Sequence, residues 1–190
     1  MGAYIDQELL FRTIDISYRH GINEIVETGT GDGHSTGILS QIFFKVHTIE
    51  KEPEVFKMAQ NNLSQFNNIT QYLGDSADIL ENFLTPDSKY VFFLDAHSNY
   101  DHKDNCPLKK ELEIMKSKNI KPPIIIHDFH VPNYFDGGKT ARFPSNEYFT
   151  IEWIWEDLIN LYGEKNFHYY YNVCPTSEHV GILFVEPLIS

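Results

Sequence analysis

The sequence predicts an α/β fold of the Rossmann-like, doubly wound type, with a seven-stranded, mostly parallel sheet and helices on both faces. Three observations lead to this prediction. Short apolar runs alternate with amphipathic stretches along the 190 residues, which is typical of βαβ units. A glycine-rich turn follows the first run. Only the segment 174–180 separates the last two runs, so no crossover helix fits and the last strand should be antiparallel.

The strands are predicted from short runs rich in β-branched and aromatic residues, which suit a sheet buried on both faces. In chain order they are 24–27, 45–50, 69–73, 90–94, 124–126, 167–173 and 181–185.

Helices are predicted where apolar residues recur every three or four positions. They lie within 1–22, after the glycine turn at about His34, from Pro53, from Pro107, and over 151–162. The length suits one domain, 1–190, whose longest break is 129–145.

Composition narrows the class of protein. Hydrophobic residues make up 42% and charged residues 22% of the chain, which is typical of a soluble globular domain. The net charge of −12 and the lack of a basic cluster argue against a nucleic-acid partner. No apolar run is long enough for a membrane span. Two cysteines cannot form a disulfide framework, so we expect a cytoplasmic protein.

The glycine turn, residues 27–33 (ETGTGDG), is the strongest functional signal in the chain. Glycines let a ligand approach the backbone, and the helix that follows offers free N–H groups, which suits an adenosine-containing ligand. His34 stands where a dinucleotide fingerprint needs its third glycine. Asn133 likewise breaks the P-loop pattern that ends at Gly138-Lys139-Thr140. Glu27 favours a ligand that carries a positive charge, such as the amino group of a methionine-derived cofactor.

In this turn the sequence resembles the class I S-adenosylmethionine-dependent methyltransferases, whose first motif reads E/D-x-G-x-G-x-G. The second and third family features, acidic residues after the second and third strands, match Glu50 and Asp75. The stretch 94–115 followed by 124–129 (IIIHDF) resembles, more narrowly, the FkbM and macrocin O-methyltransferase group. Members of that group methylate hydroxyls of sugars and related natural products.

The resemblance implies a set of cofactor-binding residues. Asp32 and the backbone of 29–33 would hold the methionine part, Glu50 the ribose, and Asp75-Ser76 the adenine. The full predicted set is Glu27, Thr28, Gly29, Gly31, Asp32, Gly33, Glu50, Lys51, Asp75, Ser76 and Asp95.

A second group of polar residues follows the fourth and fifth strands: Asp95, His97, His127, Asp128 and His130. Because the carboxyl ends of parallel strands meet at one edge of the sheet, we expect these side chains beside the cofactor. Two uses stay open. Asp95 and Asp128, with His127, would bind a divalent cation such as Mg²⁺ or Mn²⁺ that lowers the pKa of the acceptor hydroxyl.

The other use is general-base catalysis, with His97 or His127 held by a neighbouring aspartate. The predicted catalytic residues are therefore Asp95, His97, His127 and Asp128.

The predicted function is methyl transfer from S-adenosylmethionine to a hydroxyl of a small-molecule acceptor, a sugar or natural product, with metal assistance. The segment 129–145 is predicted to form a lid or a wall of the acceptor pocket. The chain could also form a homo-oligomer. An NAD(P)-dependent oxidoreductase on a similar sheet and a non-catalytic binding domain remain the alternatives.

Overall fold

The computed structural model describes residues 5–97, 106–132, 149–174 and 180–189. Helices and strands alternate along the chain, as the sequence predicts, and the helix at 76–83 is an addition to the predicted set. The order is α1 (Gln7–His20), β1 (Glu24–Thr28), α2 (His34–Leu39), β2 (Lys45–Glu50), α3 (Pro53–Asn62), β3 (Ile69–Leu73), α4 (Ser76–Phe83), β4 (Val91–Leu94), α5 (Leu108–Ser117), β5 (Ile124–Ile126), α6 (Ile151–Tyr162), β6 (Phe167–Cys174) and β7 (Val180–Pro187).

The strands form one seven-stranded sheet in the order β3-β2-β1-β4-β5-β7-β6. Strands β1 to β5 pair in parallel, and β7 runs antiparallel between β5 and β6. The predicted fold, with its antiparallel last strand, is confirmed. The strand order changes direction beside β1, between β1 and β4, which is the place where open α/β sheets bind ligands.

Two apolar layers cover the sheet because alternate residues of each strand face opposite sides. Within β4, Phe92 and Leu94 pack with α4, α5 and α6, whereas Val91 and Phe93 pack with α1 and α2. Both faces are therefore buried, which explains the nearly continuous apolar runs in the sequence.

Local signals place the helix ends. Asp6 caps α1 by accepting a hydrogen bond from the Leu9 amide at 2.7 Å, and Gly21 ends the helix in the left-handed conformation with φ +63°. Asp75 caps α4 in the same way, through the Ala77 amide at 3.0 Å. Pro53 occupies the first turn of α3, where its missing N–H costs nothing.

A buried carboxylate ties α1 to the end of β7. The two carboxylate oxygens of Glu186 lie 2.7 and 2.9 Å from two nitrogens of the Arg19 guanidinium. His20 and Tyr170 contact the same carboxylate at 3.0 and 2.9 Å. Burial raises the pKa of Glu186, but these partners outweigh it and lower the pKa below its usual value.

Most of the predicted lid, from 133 to 145, lies outside the described residues. Its first residue does not behave as part of a lid. Phe129 is buried in the core, and its amide donates to the Gly181 carbonyl at 2.8 Å. A movable segment can therefore begin only after this anchor. Within the described ranges, no helix is both long enough and apolar enough to cross a bilayer.

Candidate functional site

The predicted site residues lie at the carboxyl ends of the parallel strands. The glycine turn follows β1, Glu50 ends β2, Asp75 follows β3, Asp95 follows β4, and Asp128 follows β5. Since β1 and β4 are neighbours, the glycine turn and Asp95 share one rim of the sheet. The structure thus brings the two predicted groups together.

The glycine turn passes directly over the end of β4. Gly29 has φ +89°, and a Cβ built there would lie only 2.2 Å from the Asp95 carbonyl oxygen. Its own amide donates to the Ile49 carbonyl of β2 at 2.9 Å. Only glycine allows this backbone angle and this close approach together. Gly31 and Gly33 also have positive φ, of 57° and 85°.

Glu27 lies under this turn, fully buried between β2 and α2. Its carboxylate accepts hydrogen bonds from the hydroxyls of Ser35, Thr36 and Thr48, the last at 2.7 Å. Burial raises the pKa of Glu27 to about 7 in spite of these three donors. Its role in holding a cofactor amino group stays a prediction, and from this position it would act through the turn and the first residues of α2.

Glu50 braces the turn from the end of β2. One carboxylate oxygen accepts from the Gly31 amide at 3.0 Å, and the other accepts from the Glu52 amide at 3.0 Å. Each oxygen keeps further acceptor capacity, so the residue can still accept hydroxyl groups of a ribose. Asp32 is partly buried and accepts from the His34 amide at 3.2 Å, while Lys51 is exposed.

Asp75 and Ser76 have different surroundings at the start of α4. Asp75 is exposed, and its side chain already caps the helix. Ser76 is 5% exposed, and its hydroxyl has no hydrogen-bond partner among the described residues. This cap was not among the predicted roles of Asp75, although an aspartate directly before a helix is typical of one.

Asp95, His97 and Asp128 form a group able to bind a cation. One ligand atom from each residue lies within 4.8 Å of the others. Two carboxylates with one imidazole suit a divalent ion such as Mn²⁺, and Mg²⁺ less well. The set found among the described residues contains His97, whereas the sequence predicted His127 as the third ligand. Asp128 has φ +55°, a backbone angle that few non-glycine residues adopt.

The hydrogen bond of His97 decides which of its nitrogens is free. Nε2 lies 2.8 Å from the His127 carbonyl oxygen, which can only accept, so Nε2 carries the proton. In the neutral ring Nδ1 then keeps its lone pair. The ring is 6% exposed and packs edge-on against Phe149 with centroids 5.0 Å apart. Nδ1 of His97 is therefore available as a metal ligand or as a base, but not as both at once.

His127 lies between the two aspartates. Its Nδ1 is 3.0 Å from Asp95 and 3.6 Å from Asp128. These are ion-pair distances, although neither ring nitrogen makes a hydrogen bond of ordinary geometry with a described residue. Burial lowers the pKa of His127, but the two carboxylates outweigh it and hold the pKa well above its usual value. The His127 ring therefore supports the two carboxylates, and its role as a base stays a prediction.

One buried acid near the site was not predicted from the sequence. Glu111 of α5 is 1% exposed, and burial raises its pKa against the opposing effects of Ser76, His97 and Thr28. In the sequence it stands among lysines and a second glutamate, so it looks like an exposed helix residue. A signal was nevertheless available, because Glu111 falls between Leu108 and Met115 on the apolar face of the helix.

No family model matches the chain. The matches to curated proteins are partial. The chain is 37% identical over 57 residues, 29% of its length, to a protein-L-isoaspartate O-methyltransferase of Protochlamydia amoebophila. It is 30% identical over 95 residues, 49% of its length, to the protein of the same name from Dictyoglomus thermophilum. These matches span 27% and 40% of the relatives' own lengths.

Solved structures match over almost the whole chain. A Klebsiella pneumoniae protein described as an O-methyltransferase aligns with TM-score 0.64 and 15% identity, over 98% of this chain and 83% of its own. TomG, an O-methyltransferase of Streptomyces achromogenes involved in tomaymycin synthesis and solved with S-adenosylmethionine, gives TM-score 0.63 and 14% identity, over 97% and 81% of the chains. SMU.1697c, a Streptococcus mutans protein described as a methyltransferase and solved with S-adenosylhomocysteine, aligns with TM-score 0.57 and 14% identity, over 97% of this chain and 100% of its own.

These neighbours define the fold class. The chain has the Rossmann-like fold of the class I S-adenosylmethionine-dependent methyltransferases, and the partial sequence matches are to enzymes of methyl transfer. They do not single out the FkbM and macrocin group that the sequence resembles.

Proposed function

We propose that the protein transfers a methyl group from S-adenosylmethionine to an oxygen atom of a small-molecule acceptor, with a divalent cation at the acceptor side. The observation that carries the proposal is the contact between Gly29 and the backbone of Asp95. It joins the glycine turn to a group of side chains able to bind a cation, so a cofactor held by the turn would lie next to an acceptor held by that group.

The glycine turn would bind the methionine part of the cofactor through main-chain groups, with Asp32 at its open side. Glu50 would accept hydrogen bonds from the ribose hydroxyls, because its oxygens lie at the end of β2 and retain acceptor capacity. Ser76 would face the adenine from the start of α4. S-adenosylmethionine supplies the electrophilic methyl group of its sulfonium.

Asp95, His97 Nδ1 and Asp128 would hold the cation, and a bound divalent ion would orient the acceptor oxygens and lower the pKa of the reacting hydroxyl. The His127 carbonyl fixes the His97 ring, and the His127 imidazole supports Asp95 from behind. The geometry therefore favours His97 over His127 as the third ligand.

The reaction forms a bond between the acceptor oxygen and the methyl carbon while the carbon–sulfur bond breaks. The electron pair of that bond stays on sulfur, and the hydroxyl proton, which a bound cation would make more acidic, would leave to water. In a metal-free reaction His97 Nδ1 would take that proton. Holding donor and acceptor in line supplies much of the acceleration, since two bound molecules react as one.

The named relatives suggest a second candidate acceptor, the side-chain carboxylate of an L-isoaspartyl residue in a protein. Such a carboxylate is already ionised at neutral pH and needs no base or metal for activation. The two aspartates of this site would also repel it. The site chemistry therefore favours a hydroxyl acceptor.

A direct assay separates these acceptors. The protein would be incubated with S-adenosylmethionine bearing a labelled methyl group, together with sugar, catechol or isoaspartyl-peptide acceptors. We expect label in a hydroxyl-bearing acceptor and stimulation by Mn²⁺. Label only in the isoaspartyl peptide, unaffected by EDTA, would support the second candidate and refute the first. No transfer, combined with no binding of S-adenosylhomocysteine, would support a non-catalytic domain.

A further inference from the structure

Three buried polar atoms lie on elements that border the site. They are Oγ1 of Thr28 at the end of β1, Oγ of Ser76 at the start of α4, and Oε1 of Glu111 on α5. None of the three makes a hydrogen bond of ordinary geometry with another residue in the described ranges. Both hydroxyls nevertheless lie close enough to the Glu111 carboxyl group to favour its ionised form. Buried polar atoms without partners are uncommon and call for an explanation.

The buried position of Glu111 carries a free-energy cost, because a carboxylate there is removed from water. Leu108, Leu112 and Met115 form the rest of the buried face of α5, and Glu111 is as buried as they are, at 1% exposure. Burial raises the pKa of Glu111, which reflects the cost of holding a charge there. A leucine of similar volume would pack against the same neighbours without that cost. Packing of α5 therefore does not explain a glutamate at this position.

Glu111 also lies between the two halves of the site. Thr28 and Ser76 belong to the half proposed for the cofactor, and His97 belongs to the half proposed for the cation. The His97 imidazole and the two hydroxyls all lie close enough to the Glu111 carboxyl group to favour its ionised form. One buried side chain thus lies close to groups from both halves of the site.

We propose that Glu111 is a positioning residue that directs the hydroxyls of Thr28 and Ser76 toward the bound nucleoside. This inference rests on the proposed function, because it assigns the nucleoside of S-adenosylmethionine to that wall of the site. Glu111 acts from behind the wall through the two hydroxyls. It touches neither the transferred methyl group nor the acceptor.

Glu111→Leu and Glu111→Gln test the proposal in the full chain, with Glu113→Gln as the control. Glu113 lies on the same helix but is exposed, so its variant removes one charge without touching the buried wall. The measurements are calorimetric binding of S-adenosylhomocysteine and urea unfolding. We expect Glu111→Leu to weaken binding by about tenfold or more, with unchanged or higher stability. Glu111→Gln should retain most of the affinity, because a side-chain amide of the same shape can interact with both hydroxyls as the carboxyl group does.

Thr28→Val provides a second test that does not depend on the folding of the leucine variant. It removes the hydroxyl while keeping the shape of the side chain. If Glu111 acts through Thr28, then Thr28→Val should by itself weaken binding of S-adenosylhomocysteine, and Thr28→Val combined with Glu111→Leu should weaken it less than the sum of the two separate effects. Additive effects would overturn the proposal, as would normal affinity in Glu111→Leu. Failure of the unmodified protein to bind S-adenosylhomocysteine would instead refute the proposed function itself.

Discussion

The imidazole of His97 donates from Nε2 to the main-chain carbonyl oxygen of His127, at 2.8 Å. The bond fixes the tautomer, and it leaves Nδ1 as the nitrogen that can bind a cation beside Asp95 and Asp128. His127 contributes its carbonyl to this arrangement and its ring to Asp95, so the two histidines have different roles in one site.

This division of roles predicts how each histidine affects metal binding. His97→Ala removes a ligand and should lower Mn²⁺ affinity by more than about tenfold, whereas His127→Gln should have a smaller effect because it removes only support for Asp95. Titration of Mn²⁺ followed by electron paramagnetic resonance measures both. His130→Ala, two residues beyond Asp128, is the control. Equal or greater loss in the His127 variant would return His127 to the ligand set.

The tight approach of the glycine turn to β4 predicts a large effect of one methyl group. Gly29→Ala places a Cβ 2.2 Å from the Asp95 carbonyl oxygen, so the turn or the end of β4 has to move. We expect a loss of about 1–3 kcal/mol in unfolding free energy from overpacking, added to the cost of the left-handed backbone, together with much weaker binding of S-adenosylhomocysteine.

Gly21→Ala is the matched control for this change. Gly21 also has a positive φ, of +63°, but a Cβ there meets no heavy atom within 4 Å. It should therefore cost only the backbone strain, about 1–2 kcal/mol, and leave ligand binding intact. Similar losses of unfolding free energy and of ligand affinity in both variants, by urea unfolding and calorimetry, would show that the contact with Asp95 has no measurable effect.

The buried carboxyl group of Glu27 predicts a particular dependence of stability on pH. Burial raises its pKa from 4.5 to about 7. Between these values the folded protein keeps a proton that the unfolded chain has lost, so the unfolding free energy falls as pH rises from 4.5 to 7. The fall from this residue amounts to about 3 kcal/mol at most.

Glu27→Gln has no titrating carboxyl group at this position, so its unfolding free energy should not include this fall as pH rises. Urea unfolding at several values between pH 5 and 8 measures the difference between the two proteins, which should shift in favour of the glutamine variant as pH rises. Glu54→Gln on exposed α3 provides the control. A constant difference across the range would contradict a protonated Glu27 in the fold.

The link between α1 and β7 predicts unequal effects for two arginines of one helix. Arg19→Met leaves the buried Glu186 without its guanidinium partner and should cost about 1.5–3 kcal/mol. Arg12→Met removes the exposed pair with Glu8 and a contact with Tyr170, and should cost about 1 kcal/mol. Thermal unfolding at fixed pH compares them. A larger loss at Arg12 would mean that the Glu186 cluster does not anchor α1.

The sequence was sufficient to predict the sheet because its strands are short, doubly buried and apolar, as in 91–94 and 124–126. The glycine motif and the strand-end aspartates were predictable for the same reason, since parallel strands place their carboxyl ends on one rim. Side-chain roles within that rim were less accessible. Nothing in the sequence reveals that Glu27 turns under the motif toward three hydroxyls, or that His127 pairs with Asp95 while His97 takes the open position.

Glu111 was missed for a related reason. A glutamate among lysines reads as solvent-exposed, and only its register with Leu108 and Leu112 places it inside. Segments 98–105 and 133–148 lie outside the described residues, so the predicted wall of the acceptor pocket stays a prediction.

We propose that the rim formed by the glycine turn and Glu50 binds the nucleoside of S-adenosylmethionine. Titration calorimetry with S-adenosylhomocysteine, NAD⁺ and NADP⁺ tests it most directly, with Glu50→Gln beside the unmodified protein. We predict one molecule of S-adenosylhomocysteine bound per chain, weaker binding in the Glu50 variant, and no heat with either dinucleotide. Binding of NAD⁺ or NADP⁺ with none of S-adenosylhomocysteine would contradict the claim.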